Sequence, residues 1–220
     1  MSRRPHTPAA PARRRRARGR VDALAGDDCV DLGPGADRGQ GGPGDDLVLG
    51  GRGPDRVSGS AGRDSIRGGS GADRLNGGRG NDRVFGGQGG DLIRGSFGAD
   101  VLHGVSGNDR IVGSRGRDRI NGGSGRDRIF GGSSNDRVSG DRGPDRIFGN
   151  SGNDRILGNS GGDRLVGGAG RDRLLGGAGN DRLDARDRGR DIVRCGRGRD
   201  TVLADRRDRV ARDCERVRRR

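Results

Sequence analysis

The sequence has few of the residues that build an ordinary hydrophobic core. Of its 220 residues, 26% are hydrophobic and 2% aromatic, and there is no Trp or Tyr. Globular domains usually contain about 45–50% apolar residues, so a conventional core of large packed side chains is excluded. No run of about 20 apolar residues occurs either. We therefore predict no membrane span.

The scarcity of other residue types excludes several kinds of chemistry. Every basic residue is Arg, and every acidic residue except Glu215 is Asp. Histidine occurs only at His6 and His103. The strings at 158–162 and 39–44 match a nucleophile elbow and a dinucleotide loop, but they lack a His partner and a strand-then-helix setting, respectively. We therefore expect no catalytic residues and no enzyme activity.

Glycine, in contrast, is abundant and periodic. The chain has 50 Gly, and every ninth residue from Asp28 to Asp181 is Asp, eighteen in succession. Two residues after each Asp is an aliphatic residue, with Gly39 the one exception. Gly also stands five residues before each Asp from Asp46 onward, and two residues before each Asp except where Ser134 replaces it. Such a fixed period indicates a repeat architecture.

The spacing of the repeat predicts a solenoid made of two sheets. The glycines permit positive φ angles in a tight turn, and the three residues after each Asp alternate outward, inward and outward as in a short strand. If successive units alternate between two sheets, like positions stack every 18 residues at about 4.8 Å. The aspartates then form two ladders, whose carboxylates repel one another unless a cation lies between them. Oxygen ligands favour calcium over zinc or copper, and we expect each ion to be shared by residues such as Asp55 and Asp73.

This pattern resembles the RTX (hemolysin-type) calcium-binding nonapeptide repeat, over about residues 27–183. The loop Gly-Gly-x-Gly-x-Asp is complete before eight aspartates: Asp46, Asp55, Asp73, Asp82, Asp91, Asp127, Asp172 and Asp181. The resemblance implies an all-β fold, a parallel β-roll that binds several calcium ions and is extracellular. It also implies the metal ligands, which are Asp46, Asp55, Asp64, Asp73, Asp82, Asp91, Asp100, Asp109, Asp118, Asp127, Asp136, Asp145, Asp154, Asp163, Asp172 and Asp181.

Some units depart from the repeat. The second Gly of the loop is replaced at Ser60, Ser96, Val105, Ser114, Asp141, Asn150 and Asn159. A β-branched residue tolerates left-handed backbone poorly, so we expect calcium binding to be weakest near Val105. In the first complete turn, Leu32 stands in a glycine position and Gly39 in the aliphatic position, which predicts a frayed edge.

The two ends of the chain carry most of the positive charge. The formal net charge is +14, of which residues 1–26 contribute +7 and residues 184–220 contribute +6. We expect residues 1–26 to form a disordered Arg-rich tail. No apolar signal-peptide core follows Arg3 and Arg4, so the chain is exported by another route, starts upstream or is not exported, and we favour an upstream start. No aromatic platform accompanies the arginines, which argues against specific nucleic-acid binding.

The C-terminal segment 184–220 interrupts the nine-residue period and contains Cys195 and Cys214. Its resemblance to the ends of some secreted RTX-like proteins implies a short cap with a Cys195–Cys214 disulfide, the alternative being two free thiols. Cys29 remains without an assigned role.

Two outward surfaces are candidate contact sites. Arg follows the repeat Asp in thirteen of eighteen units. These Arg rows are either a solvated face or a surface that binds anions such as acidic polysaccharide. Four residues spaced by 18 predict an apolar stripe that is either a bare surface or a site for a second copy or a ligand: Val112, Phe130, Phe148 and Val166.

Three functions fit these features. The first is an extracellular structural or adhesion module that folds on binding calcium. The second is a carrier or chaperone-like module for a secreted enzyme. The third is a binder of anionic polymers through the Arg rows and the Arg-rich ends.

Overall fold

The computed structural model describes residues 19–219, which form 23 β-strands and contain no helix. None of these residues therefore belongs to a helix that could span a membrane. The strands are β1 Arg20–Asp22, β2 Cys29–Asp31, β3 Arg38–Pro43, β4 Leu47–Arg52, β5 Arg56–Ala61, β6 Ser65–Ser70, β7 Arg74–Arg79, β8 Arg83–Gln88, β9 Leu92–Phe97, β10 Val101–Ser106, β11 Arg110–Arg115, β12 Arg119–Ser124, β13 Arg128–Ser133, β14 Arg137–Arg142, β15 Arg146–Ser151, β16 Arg155–Ser160, β17 Arg164–Ala169, β18 Arg173–Ala178, β19 Arg182–Ala185, β20 Ile192–Arg197, β21 Thr201–Ala204, β22 Arg209–Val210 and β23 Arg216–Arg219.

Successive strands alternate between two parallel sheets. The odd-numbered strands form a 12-stranded sheet and the even-numbered strands an 11-stranded sheet, here called the odd sheet and the even sheet. From β1 to β18, paired residues are 18 apart in the chain, as in Ile111 beside Ile129. The predicted parallel β-roll with an 18-residue turn is confirmed.

Most strands have six residues rather than the three that were predicted. In β13, pairing with β15 extends from Arg128 to Ser133 and omits only Gly131. The ladder continues into the next unit, whose first glycine carries no side chain that would hold neighbouring turns apart and whose second position, glycine or not, remains paired, as Val105 does in β10. The turn between strands is correspondingly short, about three residues ending at the Asp.

The core is a column of buried aliphatic side chains, one from each strand between β2 and β19 except β3. These residues run from Val30 to Leu183 and are at most 5% exposed. At Gly39, where the aliphatic is missing, Leu32 fills the space, and a Cβ on Gly39 would lie 3.0 Å from Leu32 Cδ1. The two departures therefore compensate for each other in the core, while backbone pairing at this edge is shorter, since β1 and β2 have three residues each.

The stacked strands extend beyond the predicted roll limits of 27–183 at both ends, from Arg20 to Arg219. Backbone pairing requires only a compatible strand, so the roll continues where the nine-residue motif is imperfect. Of the predicted tail 1–26, residues 1–18 lie outside the described residues.

The strands of the C-terminal segment remain stacked on the roll although their spacing along the chain is irregular. One extra residue is accommodated before β20, so that Leu174 pairs with Val193 and Leu183 with Val202, 19 residues apart in each case. The Sγ atoms of Cys195 and Cys214 are bonded at 2.05 Å, which joins β20 to the segment before β23. Cys29 is a free, half-buried thiol.

Candidate metal centre

Each nine-residue unit buries one aspartate, and one oxygen of that aspartate links neighbouring turns. Asp118 is 0% exposed, and its Oδ1 accepts a hydrogen bond of 2.9 Å from the backbone N–H of Asp100. The same bond, at 2.7–2.9 Å, recurs in every turn from Asp37 to Asp200. All sixteen predicted ligands therefore occupy equivalent places, and Asp37, Asp191 and Asp200 extend the series.

The second carboxylate oxygen is buried without a partner. In nineteen aspartates Oδ2 is inaccessible and accepts no hydrogen bond. A buried charged oxygen without a partner is very unfavourable, so each site needs a proton or a cation. The nineteen residues are Asp37, Asp46, Asp55, Asp64, Asp73, Asp82, Asp91, Asp100, Asp109, Asp118, Asp127, Asp136, Asp145, Asp154, Asp163, Asp172, Asp181, Asp191 and Asp200.

The first glycine of each loop leaves space for this oxygen. A Cβ on Gly113 would lie closer than 3.0 Å to both Asp118 Oδ2 and the carbonyl oxygen of Gly131 in the next turn of the same sheet. A carboxylate oxygen and a carbonyl oxygen therefore border the same small gap. Gly113 does not have a positive φ, so the prediction that all loop glycines serve backbone conformation is wrong for this position. Close approach is the reason that it must be Gly.

Burial raises the pKa of these carboxyl groups. Desolvation raises the pKa of Asp136 to about 8, that of Asp118 to about 7 and that of Asp64 to about 6. The hydrogen bond from the preceding turn opposes the shift in each case, and neighbouring aspartates add a smaller upward contribution. Repulsion along the ladder, which the spacing predicted, thus raises the pKa less than burial does.

The available ligands fit calcium. Within the described chain no three His, Cys, Asp or Glu side chains converge on one point, so further ligands come from the backbone. The unpartnered Asp Oδ2 atoms and the adjacent glycine carbonyls are oxygen ligands, which calcium prefers. Sharing of one ion by aspartates 18 apart stays a prediction, because the bond seen between such residues is from a backbone N–H to a carboxylate.

The second glycine of the loop requires a left-handed backbone, as predicted, and its replacements adopt it. The φ angle is 84° at Val105, 73° at Asp141 and 77° at Asn150. The turn geometry therefore continues through the middle of the roll, where Val105 is 47% exposed. Weaker calcium binding near Val105 stays a prediction.

The sequence interpretation missed further hydrogen bonds between turns, formed where an Asn or Asp stands directly before the repeat Asp. Asn81 Oδ1 accepts a hydrogen bond of 2.8 Å from the backbone N–H of Ala99, 18 residues later. The repeated Asn in this column was the available signal. The same bond is made by Asn108, Asn135, Asn153 and Asn180.

The single glutamate completes the aspartate ladder at the C-terminal end. Its Oε2 accepts a hydrogen bond of 2.7 Å from the backbone N–H of Asp200. The two residues are 15 apart rather than 18, and the extra methylene of Glu215 lengthens the side chain in this shortened turn. This role of Glu215 could not be inferred from the nine-residue period.

The predicted apolar stripe lies on the outer face of the odd sheet. Val112, Phe130, Phe148 and Val166 are half-buried neighbours in register. The rings of Phe130 and Phe148 stack with centroids 5.1 Å apart, and the Arg110 guanidinium lies 4.8 Å from the Phe130 centroid. Whether a second copy or a ligand covers the stripe stays a prediction.

Most surface arginines have no acidic partner. Between residues 19 and 219 only two ion pairs form, Arg20–Asp22 at 2.8 Å and Arg186–Asp184 at 2.7 Å. The repeat aspartates are buried and the arginines that follow them point outward. The near balance of positive and negative charge in the roll therefore conceals an acidic interior and a basic surface.

Comparison with known proteins agrees with this geometry. The family model for the RTX calcium-binding nonapeptide repeat matches residues 40–75, 67–102, 103–138, 130–165, 157–187 and 166–202. No curated protein matches the chain. The matched segments together cover residues 40–202, which contain sixteen ladder aspartates at nine-residue intervals from Asp46 to Asp181, and also Asp191 and Asp200. The chain belongs to the family of RTX calcium-binding nonapeptide repeat proteins, whose repeats bind several calcium ions.

Proposed function

We propose that this protein is an extracellular structural or adhesion module whose β-roll folds when calcium is supplied. The observation that carries the proposal is the set of nineteen buried Oδ2 atoms without a hydrogen-bond partner. Most of them face a carbonyl oxygen of the neighbouring turn. An interior of this kind is unstable as a set of bare carboxylates at neutral pH.

The two oxygens of each aspartate have different roles. Oδ1 accepts the N–H of the preceding turn and sets the spacing of the stack, as Asp118 does for Asp100. Oδ2 offers negative charge beside a glycine carbonyl. Bound calcium supplies the positive charge that neutralises these oxygens, so the binding free energy is folding free energy. Extracellular calcium modules bind at about 10⁻⁴–10⁻³ M, so the chain would stay loose in a calcium-poor cytosol.

An extracellular location is supported by two features. RTX repeat proteins are typically secreted, and the chain contains the repeat. The Cys195–Cys214 disulfide suits an oxidising compartment, where such bonds persist. Neither feature involves a catalytic group, and we infer a module that acts through binding and shape.

A calcium titration of the full chain, followed by far-ultraviolet circular dichroism, tests the proposal. We expect a cooperative rise in β-structure at about 10⁻⁴–10⁻³ M calcium, reversed by a chelator and absent with magnesium. A β spectrum indifferent to calcium at neutral pH, or persistent coil at millimolar calcium, would overturn it.

A further inference from the structure

A groove of about 400 Å³ lies on the outer face of the even sheet, away from the aspartate ladders. Arg119, Arg137 and Arg155 line it from one column of the repeat. His103 and Asn121 line it from the column two residues further along each strand.

Strand register places these groups in two parallel rows. Arg119, Arg137 and Arg155 are direct neighbours on β12, β14 and β16. In the second row Asn121 lies beside Ser139. Neighbouring strands are about 4.8 Å apart. The groove therefore presents an arginine beside a polar group on β12 and β14, whereas Val101 stands in the arginine column on β10 and Leu157 in the polar column on β16.

None of these three arginines forms an ion pair within the described residues, and the Asp141 carboxylate on this face is held by Asn121, Ser139 and Asn159. The two ion pairs found there involve Arg20 and Arg186, which are on neither β12, β14 nor β16. The aspartates that precede the three arginines are buried in the interior. Guanidinium groups bind carboxylate and sulfate groups well, because their donors match the geometry of these anions.

The polar row is held in place by hydrogen bonds. Asp141 accepts bonds from Asn121 Nδ2 at 2.7 Å and from Asn159 Nδ2 at 2.9 Å, and also from the Ser139 hydroxyl. The His103 ring stacks on Phe85 with centroids 5.0 Å apart and nearly parallel planes. These side chains are therefore oriented before any ligand arrives, which lowers the entropic cost of binding.

We propose that this groove binds a segment of an acidic polysaccharide. The arginine row binds the carboxylate or sulfate groups, and the polar row hydrogen-bonds sugar hydroxyls. This proposal rests on the proposed function in one respect, since the groove exists only when the roll is folded. Nucleic acid fits less well because the stack of Phe85 on His103 covers one face of each ring, which reduces the aromatic platform for bases.

The odd sheet provides a matched comparison within the same chain. Its arginine row has the same register, but Val112, Phe130 and Phe148 stand where the even sheet has polar groups. These side chains cannot hydrogen-bond hydroxyl groups. Over strands β11–β17, charge alone would make both faces bind equally, whereas the proposal confines binding in this part of the roll to the even sheet.

The test is calorimetric titration of the full chain with a heparin octasaccharide at millimolar calcium, after circular dichroism has shown that the roll is folded. We expect R119Q/R137Q/R155Q to weaken binding by about tenfold or more, as expected for loss of several charge-assisted contacts. N121A/S139A keeps all the arginines and should weaken binding by about threefold.

The control is the triple variant R128Q/R146Q/R164Q, which removes the same charge from the odd sheet. Equal losses of affinity in the two triple variants would overturn the proposed binding site and would indicate general electrostatic attraction instead. Absence of binding by the folded chain, or tighter binding of a single-stranded DNA of equal charge, would also overturn it. Failure of the chain to fold with calcium would overturn the proposed function first, and the groove with it.

Discussion

Inside the roll, nineteen carboxylates repeat one arrangement from turn to turn, whereas on its outer faces the corresponding side chains change from strand to strand. The column that contains Phe130 and Phe148 on the odd sheet contains Asn121 and Ser139 on the even sheet. The interior is uniform because every turn must place an oxygen beside a carbonyl. The exterior needs only an outward side chain, so binding properties can vary there without disturbing the stack.

The largest difference between interior and exterior is expected in the response to pH without metal. The pKa of Asp136 is raised to about 8 and that of Asp145 and Asp172 to about 7. A carboxyl group with a raised folded-state pKa stabilises the fold when protonated, so its contribution is present at low pH and is lost as pH rises through the folded-state pKa. The exterior arginines stay charged throughout.

We therefore expect the calcium-free chain to have more β-structure at about pH 5 than at about pH 8.5. Calcium should be needed for folding at the higher pH and not at the lower pH, because only the ionised carboxylates need the metal. Circular dichroism in chelator across this range measures the effect. Equal β-content at both ends would show that the buried carboxyl groups do not control folding.

The next largest effect should come from filling the gap at a first glycine. Gly113→Ala places a methyl group against Asp118 Oδ2 and the Gly131 carbonyl. We expect a loss of about 3 kcal/mol in the free energy of unfolding, at the upper end for overpacking, measured by denaturant unfolding in calcium. Gly162→Ala is the control, because its Cβ would meet only Asn180 O, at 3.3 Å, on the surface. A loss of similar size in Gly162→Ala would contradict the role assigned to the gap.

The contrast between these glycines shows what could be predicted from the sequence. The Asp and aliphatic columns predicted the two sheets and their register, because a strict period leaves one way to stack like residues. The conformation of Val105 followed from its place in the loop. The steric role of Gly113 could not be predicted, since it depends on how far a carboxylate of the same turn folds inward. The place of Glu215 depends on a shortened turn that no period describes.

Removing one interior carboxylate should change the stability of the fold less, but it should specifically reduce the number of calcium ions bound. Asp118→Asn can keep the hydrogen bond from the Asp100 N–H while replacing Oδ2 by an NH₂ group, which is not a calcium ligand. We expect the number of bound calcium ions to fall by about one or two, measured by equilibrium dialysis. Stability in chelator at about pH 8 should rise, since a buried charge is lost.

The exterior control for this substitution is Asp141→Asn, which removes a carboxylate on the outer face. Its calcium stoichiometry should equal that of the unmodified chain. A decrease in Asp141→Asn as large as that in Asp118→Asn would place calcium on the surface and would contradict the assignment of the interior ladder.

The smallest effect is expected at Val105, whose side chain lies on the exterior although its backbone must adopt the positive φ of the loop. Its φ of 84° is unfavourable for a β-branched residue by about 1–3 kcal/mol, and the side chain is 47% exposed, so little packing is lost on its removal. Val105→Gly should relieve this strain and stabilise the roll by about 1 kcal/mol, after allowance for the greater freedom of Gly in the unfolded chain.

The control is Val101→Gly, in the same strand but without a positive φ, which should destabilise the roll by about 1 kcal/mol. Opposite signs for the two variants in denaturant unfolding would show that the turn, rather than the side chain, sets the requirement at position 105. Destabilisation by both would mean that Val105 packs favourably enough to offset its backbone.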